Sequence, residues 1–220
     1  ITVGKKLTVT GDIAMTTCTG NINVGKDIEA TGDIAMTTGT GNINMGQDIT
    51  AGKDVSISSQ KGNVVVGDTT TGEGDVLSKT GDVSIQAGQD VSIVKTVKAQ
   101  EGSIDIQAGT GDVTIGNNGP NVETVTAYKN IDINVELGQI EINGKTSTKE
   151  GDITLKAASE NYVEGTAGQN IVINNDGITH NGVVESGRDA TLITANSDLY
   201  VTDDIDVKQN LEVQVLGEIA

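Results

Sequence analysis

Aliphatic side chains in this chain come in short alternating bursts, each introduced by a corner residue and then Asp or Asn. GDIAM, GNINV and KDIEA follow one another between Gly11 and Ala30, and GDIAM, GNINM and QDITA repeat them between Gly32 and Ala51. Inside each burst the apolar residues fall on alternate positions: Ile13 with Met15, Ile22 with Val24, Ile28 with Ala30. That is the pattern of a strand with one buried face. Residues 11–31 and 32–52 align without a gap and differ at five positions: Cys18/Gly39, Val24/Met45, Lys26/Gln47, Glu29/Thr50 and Thr31/Gly52. Three short strands separated by sharp corners, recurring at a fixed period near 21 residues, predict a coil that stacks on copies of itself. Stacking places Ile13 under Ile34 and Met15 under Met36 at the ~4.8 Å spacing between strands.

The burst recurs along the rest of the chain with longer corners. It reads Asp54-Val-Ser-Ile57, Asn63-Val-Val-Val66, Asp75-Val-Leu-Ser78, Asp82-Val-Ser-Ile85 and Asp90-Val-Ser-Ile93. It continues through Ser103-Ile-Asp-Ile106, Asp112-Val-Thr-Ile115, Asn130-Ile-Asp-Ile133, Gln139-Ile-Glu-Ile142, Asp152-Ile-Thr-Leu155 and Asn170-Ile-Val-Ile173. Asp189-Ala-Thr-Leu192, Asp198-Leu-Tyr-Val201, Asp204-Ile-Asp-Val207 and Asn210-Leu-Glu-Val213 close it. Polar stretches at 67–74, 143–150 and 157–168 read as insertions between strands. GNNGPN at 116–121 is the strongest loop signal, with a strand expected at 122–127. Residues 176–187, DGITHNGVVESG, promise strand pieces at best. About ten coils are expected, in a single solenoid domain over 1–220. No stretch carries a 3.6-residue apolar period, so no α-helix is expected. The competing all-β reading is an antiparallel sandwich or barrel; its strands would reverse direction from one three-strand copy to the next, and the tandem register argues against that.

Composition narrows the core. Phe and Trp are absent, and the aromatic residues are Tyr128, Tyr162 and Tyr200. A core of Ile, Val, Leu, Met and Ala must be narrow and uniform. With 29 Gly and a single Pro, the corners rely on Gly and on Asp/Asn geometry. A coil burying about six aliphatic side chains gains ~1.5–3 kcal/mol from each. Ordering ~21 residues costs ~1–2 kcal/mol apiece, so a coil stands only among neighbours. Both ends of the chain fall in mid-pattern, and we expect further coils beyond them, as a segment of a longer chain or fibre would have.

Charge excludes two classes of partner. The net charge is −17, from 14 basic and 31 acidic residues. Nucleic acid and anionic lipid would need the opposite balance, and no apolar run suits membrane insertion. The acidic excess suits a long β-rich surface that must stay apart from its neighbours. Catalytic chemistry finds little purchase. Arg188 is the only Arg, His180 the only His, and Cys18 the only Cys, whose counterpart in the second copy is Gly39. Cys18 reads as an incidental thiol and His180 as a solvated loop residue. No zinc, phosphate or hydrolase motif is present, and the protein is read as a non-enzyme with no catalytic, cofactor-binding or metal site. Calcium is the one cofactor to weigh, because corner residues such as Asp12 and Asp33 would stack with like charges adjacent. The exchange of Asp for Asn21, Asn63, Gln139 and Ser103 at that position favours hydrogen bonding to turn N–H groups instead. A Thr-lattice ice-binding face is also disfavoured, because the cluster Thr16-Thr-Cys-Thr19 and Thr37-Thr-Gly-Thr40 is lost after the second coil.

GDVSIQAGQDVSI (81–93) and GSIDIQAGTGDVTI (102–115) resemble the haemagglutinin-type repeats of filamentous haemagglutinin-like large exoproteins, a family of bacterial surface adhesins. The resemblance implies a right-handed parallel β-helix rod, in line with the all-β solenoid of triangular coils, about 21 residues each, that the three-strand spacing predicts. It also implies an extracellular or cell-surface location and a structural, adhesive role. The segment DLYVTDDIDVKQNLEV is similar to the β-helical stalks of phage tail fibres. Two function classes follow: the repetitive shaft of a surface adhesin or matrix fibre, and a filament subunit that polymerises by end-to-end stacking. The expected partners are other copies of the chain or continuing coils, and surface glycans or proteins met by the loops at 116–129 or 157–168.

Overall fold

The computed structural model describes residues 1–116, 123–158, 161–175, 179–194, 199–201 and 204–215. It is an all-β parallel solenoid of about nine turns. One face, the long face, is a ten-stranded sheet. Its strands run Ile13–Thr17, Ile34–Thr38, Val55–Ser59, Val83–Ala87, Ile104–Ala108, Ile131–Val135, Ile153–Ala157, Ile171–Asn175, Ala190–Thr194 and Leu211–Val215. Every pairing is parallel, and the early ones place like on like: Ile13 on Ile34, Met15 on Met36, Met36 on Ile57. Ten long-face strands leave nine steps between them, one fewer than the ten coils the spacing predicts.

Two further runs complete each early coil. A first short face is built from Ile22–Val24, Ile43–Met45, Val64–Val66, Val91–Ile93 and Val113–Ile115. A second carries Ile28–Ala30, Ile49–Ala51, Val76–Ser78, Val97–Ala99 and Glu123–Ala127. The strand at Val97–Ala99 is an addition to the sequence reading, where VKTVKAQE carries no Asp/Asn signal; Thr96 stands in the corner position. Inward residues of all three faces form one core from Ile13 to Leu192, in which Ile22, Ile34, Met36, Ile43 and Ile49 are fully buried. The insertion at 67–74 is a corner excursion, closed by a bridge between Asp68 and Glu73.

Further along, the coil changes shape. Residues 143–150 are not an insertion: Ile140–Thr148 is one nine-residue strand that pairs with both short faces below it, Val113 on Ile140 and Val125 on Thr146. The polar letters concealed an alternation, with Ile140, Ile142, Gly144, Thr146 and Thr148 all facing inward. Gly144, at φ 146°, makes the bend where the third corner used to be. The same merger gives Asn161–Ala167, where a loop was expected, and Thr179–Ser186, where only strand pieces were. The triangular coil therefore describes the first coils and the last, where Leu199–Val201 and Ile205–Val207 are again separate strands, and not the merged coils between them. The long-face step falls accordingly, from 21 residues between Ile13 and Ile34 to 18 between Ile153 and Ile171. The loop expected at 116–121 lies almost wholly outside the described residues.

Candidate functional site

The corners hold most of the polar chemistry. At the corner that leads into the long face, each side-chain oxygen accepts the backbone N–H of its counterpart one coil later. Asp12 Oδ1 accepts from Asp33 N at 2.9 Å, Asp33 from Asp54 at 3.1 Å, and Asp54 from Asp82 at 2.8 Å. The series runs on through Asp82, Ser103, Asn130, Asp152, Asn170 and Asp189 to Asn210. A second series at the next corner links Asn21, Asn42, Asn63, Asp90, Asp112 and Gln139. Hydrogen bonding at these positions was expected, but within a local turn; the donor belongs to the following coil. The bond also explains the Gly-Asp punctuation. A Cβ on Gly102 would lie 2.5 Å from Asp82 Oδ1 and would overlap the Gly81 carbonyl oxygen, so only glycine lets the lower side chain reach upward.

A second set of clamps was not foreseen. Inward hydroxyls at strand ends tie corners together: Thr38 Oγ1 donates to Gly20 O at 2.9 Å and accepts from Gly41 N at 3.2 Å. Ser59 repeats this with Gly41 O and Gly62 N, and Ser78 with Lys53 O and Gly81 N. The available signal was the exchange of Ala with Ser or Thr at the last inward position of a strand. Thr146 is the exception, a buried hydroxyl without a hydrogen-bond partner.

Among the described residues, no three His, Cys, Asp or Glu side chains converge to hold a metal. At the corner leading into the long face, the carboxylates that made calcium worth weighing, such as Asp12 and Asp33, stand no more than one to a coil, and each accepts a backbone N–H group. A like-charge pair lies on the long face, where Asp105 and Asp132 occupy one register position on adjacent strands. Shielding by the neighbouring strands, and then the repulsion of Asp105, hold the Asp132 carboxyl above the ordinary range. Lys95 lies at the 67–74 excursion, 3.2 Å from Glu73 and 3.6 Å from Asp75. Its partial shielding would lower it, but those carboxylates outweigh the effect and raise the ammonium. Tyr128 donates to Glu150 at 2.8 Å, which raises its phenol, and Lys149 sits 4.8 Å from the ring centroid.

Cys18 is exposed and free. Arg188 is exposed at a corner and bonds through its backbone to Gln169 O at 2.9 Å. His180 is not in a loop: it lies in the strand Thr179–Ser186, at one register position with Tyr162 and Tyr200 on the adjacent coils. Its neighbours are far away in sequence, so the single letter H gave no hint of that alignment.

Two concavities adjoin on the edge of the long face. One, of about 330 Å³, runs from Ser59 and Gln60 to Asn134 and Glu136; the other, of about 270 Å³, starts at Asn134 and Glu136 and ends at Asn174. Comparison of the chain with family models, curated proteins and solved structures returns no match. Geometry alone therefore establishes a β-helical repeat protein and carries the reading of its function.

Proposed function

We propose that this chain is a rigid extracellular rod, the repetitive shaft of a bacterial surface adhesin or matrix fibre. The observation that carries the reading is the unbroken parallel register of the long face from Ile13 to Leu211. Nine steps at ~4.8 Å make a rod about 43 Å long. Such a stack resists bending because every coil is hydrogen-bonded to the next along each of its faces, and its acidic surface keeps neighbouring rods apart. The haemagglutinin-type wording of 81–115 supports the same role. A self-assembling filament, in which open coils of successive copies stack end to end, is the second reading; Leu211 and Val213, each 48% exposed, are apolar surface that such stacking would cover.

Electron microscopy of the purified chain tests both. Isolated rods near 45 Å support the shaft, long fibres of uniform width support the filament, and compact particles defeat the pair. Adhesion is tested by coating beads with the chain: beads that bind bacterial or host cell surfaces no better than albumin-coated beads would remove the adhesive part of the reading. In a reducing-end assay, soluble polysaccharides incubated with the chain are expected to stay uncleaved.

A further inference from the structure

The two adjoining concavities form one trough parallel to the rod axis, and this goes beyond the role of a shaft. Both are bordered by Asn134 and Glu136, so the trough crosses six long-face strands from Ser59 to Asn174. At ~4.8 Å per strand its length is about 24 Å. The floor is the last inward position of each strand, occupied by Ser59, Ala87, Ala108, Val135 and Ala157, all small enough to keep the corner low. One wall is the outward position just before it: Gln86, Gln107, Asn134, Lys156 and Asn174, in register on successive coils.

Three properties of this wall point to a ligand. Four of its five members are carboxamides, each able to donate and accept. Two of the four, Asn134 and Asn174, make no hydrogen bond among the described residues; Gln86 receives only a 3.5 Å contact from Ser58, and Gln107 donates to Asp105 at 3.1 Å while its oxygen accepts no hydrogen bond among the described residues. By contrast, Asn23 and Asn44 on the first short face satisfy each other at 2.7 Å. The strip is also close to neutral on a chain of net charge −17, since Glu136 and Lys156 are of opposite sign.

We infer that the trough binds an uncharged linear glycan lying along the rod. Hydroxyl groups are the natural complement of amides that donate and accept, and a polymer repeating once per sugar ring keeps pace with one amide per coil. An extended peptide advances only ~3.2–3.4 Å per residue and would fall out of step with the ~4.8 Å ladder. A polyanion would meet Glu136 and the nearby Asp105 and Asp132. Without aromatic residues in the trough, each site is weak, and useful retention comes from many sites presented together.

Native electrophoresis of the full 220-residue chain through gels containing hydroxyethyl cellulose, galactomannan or dextran tests this, with polygalacturonate as the anionic comparison. We expect retardation in at least one neutral gel, little in polygalacturonate, and a roughly tenfold or greater loss of affinity in the triple variant Gln86→Ala, Gln107→Ala, Asn134→Ala. The double variant Asn23→Ala, Asn44→Ala, on another face, should bind as the parent does. Amide chemical shifts of the parent chain give an independent reading: titration with the retarding polymer's hexasaccharide should move Ala87, Gly88, Ala108, Gly109 and Val135. Retardation in none of the neutral gels, unchanged retardation in the folded triple variant, or shifts confined to other faces would each overturn the inference. Rod shape under the microscope is independent of all three, so the shaft reading survives or fails separately.

Discussion

The coil from Ile34 to Gly52 and the coil from Ile153 to Gly168 close the same tube with different parts. The first uses three strands, of five, three and three residues, and points Ile34, Met36, Ile43, Met45 and Ile49 into the core. The second uses two, of five and seven residues, and its described inward positions are Ile153, Leu155, Ala157, Gly165 and Ala167. Removing a corner saves residues but brings the merged strand toward the long face. Its described inward end is lined by small residues, and a Cβ on Gly165 would make only ordinary contacts, 3.7 Å from the Ile153 side chain and 3.9 Å from that of Ile171. Over its described positions the merged coil thus trades apolar burial for economy of chain. In a stacked array, where stability sums over coils and their interfaces, the merged coils should be the first to open. Hydrogen exchange followed coil by coil should show faster exchange after Ile140 than between Ile34 and Ile115; equal rates would erase the distinction.

Substitutions can sharpen it further. The largest effect is expected for Gly102→Ala, where the added methyl would overlap backbone of the coil below. Forcing those coils apart should cost about 2–4 kcal/mol, seen as a lower urea midpoint and local loss of exchange protection. Next is Thr146→Val in the merged strand. Removing a buried hydroxyl that has no partner should stabilise by about 1–2 kcal/mol, and a lower midpoint would mean that the hydroxyl is satisfied after all. Gly165→Ala reverses the sign seen at Gly102. The site has ordinary contact space and no positive φ, so the methyl should add about 0.4–1 kcal/mol by restricting the unfolded chain. If both alanines destabilise equally, the two kinds of coil do not differ in closeness of stacking.

The smallest effect concerns charge. Asp132 has its pKa raised in the folded state, so folding favours its protonated form. Its contribution to stability is fully present below the ordinary carboxylate range and is lost as pH rises through its folded value. Because the group faces outward and is screened, Asp132→Asn should stabilise by only a few tenths of a kcal/mol at pH 7. The gain should vanish in acid, as melting curves at pH 3 and pH 7 would show.

The repeating Asp/Asn followed by an alternating aliphatic pair made the first half of the fold readable, because there the inward positions are apolar and the corners are short. The merged coils were hidden for a physical reason. Once two faces lie nearly in line, Gly144, Thr146 and Thr148 can occupy inward positions, and a strand of such residues looks like a loop. The corner oxygens were read with the right chemistry and the wrong partner, since a bond between Asp12 and Asp33 spans a whole coil. Least legible was the trough. Its amides lie 21 to 27 residues apart between Gln86 and Asn134, and only the stacking register sets them in line.

The corner oxygens also have a direction, always offered by one coil to the next. A coil that has already folded holds out aligned acceptors to its successor, whereas its predecessor must arrive with its own side-chain oxygens placed. Chains made or exported N-terminus first would meet each new coil with a finished template. Assembly is then a vectorial process, with order of folding written into the side of the rod, and refolding is expected to spread from the N-terminal coils forward, as pulse-labelled exchange would reveal.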